Sequence, residues 1–164
     1  MNWSGWLLWG FASTIVLTTL MAVSQSLGLT RISLPYMLGT MFTPSRDRAK
    51  AIGFAVHLLN GWIFSLFYIL AFHSFGRATW WEGAIIAFVH ASFVLTAGMR
   101  FLPGLHPRMA SETQGPSVVR QLEPPGVLAL NYGVQTPVAT LVAHLIFGAI
   151  LGAFYVIPGA PLSR

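Results

Sequence analysis

The chain has 164 residues, of which 55% are hydrophobic and only 8% charged. That leaves too little polar surface for a soluble domain of this size, so residues 1–164 read as a single integral membrane domain whose first partner is the lipid bilayer. The formal net charge of +5 would suit nucleic acid, but its placement follows membrane topology and no nucleic-acid partner is expected; zero cysteines exclude disulfides, thiolate metal sites and cysteine nucleophiles.

A spanning helix needs roughly 20 apolar residues, and four stretches supply them, at about residues 5–27, 51–72, 81–101 and 138–157. The first span opens with Trp3, Trp6 and Trp9 and has no Lys or Arg in its first eleven residues. Its apolar run is too long for a signal peptide, so it is expected to be retained, although Ala22-Val23-Ser24 would pass as a cleavage site. It exits at Arg31, and Pro35 is expected to end the helix because the residue before a proline avoids the helical region. Leu34 to Phe42 is apolar enough to form a short helix along the interface. Thr43-Pro44-Ser45 then turns the chain into Arg46-Asp47-Arg48, a local charge pairing ahead of the second span.

The third span starts at Trp80, Trp81 and Glu82, whose carboxylate complements the helix dipole. Its expected exit signal is Pro103. The long connection that follows, residues 102–136, contains five prolines and too many apolar residues for a solvated tether, among them Leu105, Met109, Val118, Val119, Leu122 and Val127. An ordered cap over the helix ends, or a surface for another subunit, is expected. Within it, His106-Pro-Arg-Met109-Ala-Ser-Glu112 carries possible metal donors, but the spacing matches no metal motif and a solvated turn is the simpler reading.

Seven of the nine basic residues lie in or beside the first and third loops: Arg31, Arg46, Arg48, Lys50, Arg100, Arg108 and Arg120. Arg77 and Arg164 are left for the opposite side. The positive-inside rule then places these two loops in the cytoplasm and both termini outside. Tryptophans 3, 6, 9, 80 and 81 form the outer aromatic belt, with Trp62 the exception inside the second span.

The second and fourth spans repeat one another. Residues 56–70 align without gaps on residues 143–157, matching His57 with His144, Leu58 with Leu145, Gly61 with Gly148, Ile63 with Ile150, Phe67 with Phe154 and Tyr68 with Tyr155. Arg31-Ile-Ser-Leu-Pro35 and Arg100-Phe-Leu-Pro103 echo each other at the ends of the first and third spans. The fold expected is therefore all-α: four transmembrane helices as two tandem hairpins, related by a pseudo-two-fold axis along the membrane normal. Gly53, His57, Gly61 and Ser65 recur every four residues, as do Thr140, His144, Gly148 and Gly152. Such small-residue ridges let helices approach closely in lipid, and they are expected to bring the second and fourth spans together.

An ionisable group inside a membrane is a functional candidate by default. Three readings compete for His57 and His144: structural hydrogen bonding, axial ligation of a haem or other tetrapyrrole, and a proton or metal path that adds His90. A small residue one turn before each histidine, Gly53 and Thr140, would leave room for a ring, as in the Ala-x-x-x-His of bacterial light-harvesting polypeptides. No phosphate loop, Ser-His-Asp set, His-Glu-x-x-His or carboxylate pair is present, so no catalytic residue is assigned and no enzyme is expected.

The segments Leu34 to Phe42, His106 to Glu112, Asn131-Tyr-Gly133 and the two His-Leu repeats resemble a group of small four-helix bacterial inner-membrane proteins of unassigned activity. The resemblance implies a bacterial cytoplasmic membrane and a free-standing module, and carries over no functional residues. The function expected is non-enzymatic, by association, as an accessory subunit of a larger membrane complex or as a homo-oligomer. The alternatives are a tetrapyrrole-binding protein using His57 and His144, and a small proton or metal transporter.

Overall fold

A computed structural model describes residues 1–159 and is helical in every regular element. Arg164 falls outside the described residues. Among the described residues four helices are long and apolar enough to cross a membrane: Trp3–Ser26, Arg46–Phe75, Trp80–Leu105 and Thr136–Phe154. The first is α1 (Trp3–Ser26), begun by Asn2, whose side-chain oxygen accepts the Gly5 N–H at 2.8 Å. A short α2 (Leu34–Gly39) follows, with Pro35 in its first turn, where a proline costs no helical hydrogen bond.

Helix α3 (Arg46–Phe75) is 30 residues long and starts five residues before the apolar window. Arg, Lys and Ala are good helix formers, and at 1.5 Å per residue the helix reaches about 45 Å, past the roughly 30 Å hydrocarbon core. Asp47 sits in its first turn, and Gly76 ends it in the left-handed region at φ 70°, which only glycine enters freely. The third span is α4 (Trp80–Phe93), then a π turn at Val94–Gly98, then α5 (Met99–Leu105). Pro103 does not end this span, contrary to the sequence expectation; it lies inside α5, one turn from its close, where losing one ladder bond is tolerable. Helix α6 (Thr136–Phe154) has Pro137 in its first turn and stops before Tyr155, three residues short of the expected end, as Pro158 disfavours helix in the residues before it.

Close backbone approaches fix the packing. Helix α1 lies between α3 and α6, α6 runs along α4, and α2 lies against the start of α3. A Cβ at Gly53 would overlap the Pro35 carbonyl of α2, one at Gly61 the Thr14 side chain of α1, and one at Gly148 the Gly83 carbonyl of α4. A Cβ at Gly152 would overlap the Thr79 carbonyl. The expected approach of the second and fourth spans along Gly61 and Gly148 is thus corrected: each ridge serves a different neighbour, and α3 and α6 meet only locally, as at Tyr68 and Phe147, with space between them beside that contact. Nor does Gly53 leave room for a ring, since α2 already occupies that place. Ser65 is fully buried and bonds both the Trp62 carbonyl and the Trp6 indole.

Two further ties position the ends. On the side of Trp3, the Tyr155 hydroxyl accepts the Asn2 N–H at 3.1 Å and pairs with His73 Nε2 at 2.9 Å. Trp62 belongs at this level too: its indole donates to the Leu7 carbonyl and its ring meets Phe11. On the other side, residues 106–135 lie against the first loop. His106, 3% exposed, points Nε2 at the Met37 carbonyl (2.9 Å) and receives the Arg108 N–H on Nδ1 (3.1 Å). Arg108 also donates to the Thr40 carbonyl, and Arg31 pairs with Glu123 at 3.4 Å. His106 is therefore a buried clamp rather than part of a solvated turn. Burial, helped by the Arg108 guanidinium, holds its pKa below the ordinary histidine range, against the Met37 carbonyl, which favours the proton. Burial and Glu123 raise the Tyr132 hydroxyl to about 12, with Arg31 opposing.

Candidate functional site

Where α3 and α6 separate, a cavity of about 220 Å³ opens, and every histidine singled out in the spans lines it: His57, His90 and His144. Its walls are otherwise apolar, with Leu17 from α1, Phe64 from α3, Leu95 from the π turn and Phe147 from α6. Met37 and Leu38 of α2 and Leu102 of α5 contribute at the end toward the charged loops. Asn60 and Thr140 complete the polar part of the lining.

Each imidazole is anchored through Nδ1. His144 Nδ1 lies 2.8 Å from the Thr140 carbonyl one turn earlier, and a carbonyl can only accept, so this nitrogen carries the proton. His57 Nδ1 lies 2.9 Å from the Thr18 hydroxyl. The single hydroxyl hydrogen of Thr18 is engaged at 2.7 Å with the Thr14 carbonyl of its own helix, so Thr18 accepts and His57 Nδ1 donates. His90 differs. Its Nδ1 is 3.0 Å from the Tyr68 hydroxyl, which has no other acceptor among the described residues, so Tyr68 donates and the neutral ring holds its proton on Nε2.

The three Nε2 atoms take no hydrogen bond, and no buried side-chain nitrogen or oxygen among the described residues lacks a partner, so these atoms face open space rather than packed protein. The rings are held tightly about the cavity. His90 stacks on Phe64 with centroids 4.5 Å apart and meets His144 edge-on at 5.2 Å. Tyr68, 1% exposed, packs edge-on against Phe147 at 5.3 Å. Helices α3 and α4 thus communicate mainly through Tyr68, Phe64 and His90.

No protein-family model, curated protein or solved structure matches this chain.

The sequence candidates divide accordingly. His57 and His144 share the cavity, and His90, the weaker candidate, joins them and touches His144 directly. Thr140 lines the site and orients His144; Gly61 lines it while seating α1; Gly53, Ser65, Gly148 and Gly152 serve helix contacts away from it. Among the described residues no group of three His, Asp or Glu is close enough to hold one metal ion. Glu82 is occupied elsewhere, accepting from Thr79 at 2.7 Å and from Arg77 at 2.5 Å.

Several lining features have no sequence signature. The π turn offsets the helix by one residue between His90 and Met99, and such turns are frequent at functional sites. Leu128 and Ala129 adopt φ 54° and 59°, the left-handed region, at a cost of roughly 1–2 kcal/mol per residue. Two consecutive strained residues press Ala129, 1% exposed, against the cavity wall beside Leu95 and Met99. Strain of this kind is retained where surrounding structure over-determines it.

Proposed function

We propose that this protein is a non-enzymatic, multi-pass membrane protein that binds a small membrane-dissolved ligand in the histidine cavity. The observation that carries this is the combination of apolar walls with three imidazoles that line the same space and whose Nε2 atoms take no hydrogen bond from the described residues. Polar groups left without partners in hydrocarbon are costly, and a ligand with a polar end would satisfy them. The volume bounds the occupant. An engineered cavity of about 150 Å³ holds benzene, and drug-sized ligands take about 300–1,000 Å³; at about 220 Å³ the cavity suits one ring or a chain terminus. A tetrapyrrole macrocycle exceeds that volume, although His57 and His144 present the lone pairs that axial ligation would need.

The proposed setting is the bacterial cytoplasmic membrane, with the basic first and third loops inside and both termini outside. A duplicated hairpin is supported by equivalent use of Gly61 and Gly148, each of which seats the preceding span of its own hairpin. A second role, association with another membrane subunit or with a second copy, is favoured by four exposed valines outside the spans: Val118, Val119, Val127 and Val134.

The ligand reading is tested with toluene and the purified protein in detergent. A ligand that binds only the folded state raises stability by RT ln(1 + [L]/Kd), so toluene should raise the melting temperature of the natural protein. Leu95→Trp, which fills the cavity, should remove that response. An unresponsive natural protein overturns the reading.

A further inference from the structure

The donor and acceptor pattern of the cavity narrows its occupant. A neutral imidazole with Nδ1–H committed exposes a bare Nε2 lone pair, and this holds for both His57 and His144. His90, its Nδ1 receiving the Tyr68 hydroxyl, exposes an Nε2–H instead. The Asn60 amide and the Thr140 hydroxyl take no hydrogen bond from the described residues and can serve either way. His144 and Thr140 are 6% and 5% exposed, so these unpartnered groups belong to the interior of the molecule. The fixed part of the code is therefore two acceptors and one donor set in an apolar wall.

We infer that the occupant is a hydroxylated aromatic ring, a phenol or quinol headgroup taken from the membrane, whose O–H groups donate to Nε2 of His57 and His144. The inference rests on the cavity reading above and adds the ligand's chemistry to it. A hydroxyl donates to a bare imidazole nitrogen and can accept from the His90 Nε2–H, so one functional group answers both kinds of site. A quinone, with acceptors alone, would satisfy His90 and leave the two lone pairs facing its own oxygens. A metal ion could use the lone pairs, but no three-residue donor group stands close enough to hold one among the described residues. The ring fits by size and by surroundings, since Phe64 and Phe147 offer aromatic faces and edges beside the imidazoles.

Calorimetric titration of the full chain in detergent, kept anaerobic, decides the matter with four probes that share a decyl tail: a benzohydroquinone, a phenol, the benzoquinone, and the dimethyl ether of the hydroquinone. The hydroquinone should bind about tenfold more tightly than the ether and the quinone, the difference expected for one to two hydrogen bonds. His57→Leu and His144→Leu should bring hydroquinone binding down toward the ether's level while leaving ether binding unchanged, which also shows that the variants fold. A hydroquinone that outranks the phenol points to the membrane quinol pool, and equal binding of the two points to a monophenol; both support the inference. Four probes of equal affinity, or a quinone that binds best, overturn it and leave the cavity reading standing. No binding by any probe overturns both, and the ranking on the natural protein decides even if a variant fails to fold.

Discussion

Replacing Gly148 by alanine tests the packing that creates the cavity. In a soluble helix Gly→Ala would stabilise by up to about 1 kcal/mol. Here the new methyl would lie 2.6 Å from the Ala87 Cβ and 2.8 Å from the Gly83 carbonyl carbon, against roughly 3.5–4.0 Å for carbon atoms in favourable contact. The obstacle is backbone on a facing helix and cannot swing aside, so α4 and α6 must separate by about an ångström along their shared length. Overpacking of this kind costs about 1–3 kcal/mol, and the separation also weakens the contacts at Gly152, where the Thr79 carbonyl carbon would lie 2.7 Å from a Cβ. The expected net effect is a loss of about 2 kcal/mol, read by reversible unfolding in mixed micelles. Gly104→Ala is the control, since nothing lies within 4 Å of a Cβ there. If Gly148→Ala is as stable as Gly104→Ala, the described approach of α4 to α6 is wrong, and the position of His144 relative to His90 falls with it.

Acid should loosen the clamp between the loops. A histidine whose folded pKa lies below its unfolded value binds fewer protons when folded, so its contribution is complete above the unfolded pKa of about 6.5 and declines as the pH falls through that value toward the folded pKa. Protonated Nδ1 would also oppose the Arg108 N–H. In hydrogen exchange, amides of residues 36–40 and 108–110 should lose protection on acidification, and His106→Gln, which can still donate to Met37 and accept from Arg108, should flatten that dependence; identical profiles for the two proteins would refute it. For topology, an impermeant thiol reagent applied to intact cells should label Ser74→Cys and spare Arg46→Cys until the membrane is opened, and the reverse pattern inverts the proposed orientation.

What could be read from the sequence was set by solvation. Apolar windows located all four long helices because a helix able to cross a membrane must be apolar along its whole length, and the starts of α1 and α4 fell within two residues of the expected positions. The ends were less legible. Arg46 to Lys50 read as loop because charge excludes a residue from hydrocarbon, yet it does not exclude it from a helix that projects beyond. Pro103 read as a stop because its effect depends on where the helix ends, which the local sequence leaves open. The glycine ridges identified positions of close approach without identifying what approaches, since a missing Cβ is equally useful to any neighbour. His57 and His144 stood out through the repeat, but His90 had no counterpart, and its place between Phe64, Tyr68 and His144 follows from a helix arrangement that no spacing encodes.

The tie between Asn2 and Tyr155 has a consequence for biogenesis. The second residue of the chain and one that emerges 153 residues later share a hydrogen bond, and α1 lies between α3, the next long helix made, and α6, made after α4. During synthesis α1 and α3 can pair as soon as both are made, but the flank of α1 meant for α6, and the glycine face of α4, remain without their partner until α6 has been made. The bundle therefore closes only when α6 joins both α1 and α4, after α1 and α3 have had the chance to pair. Contacts between such distant parts of a chain form slowly, and a nascent protein halted before α6 would lack His144 and with it one wall of the cavity.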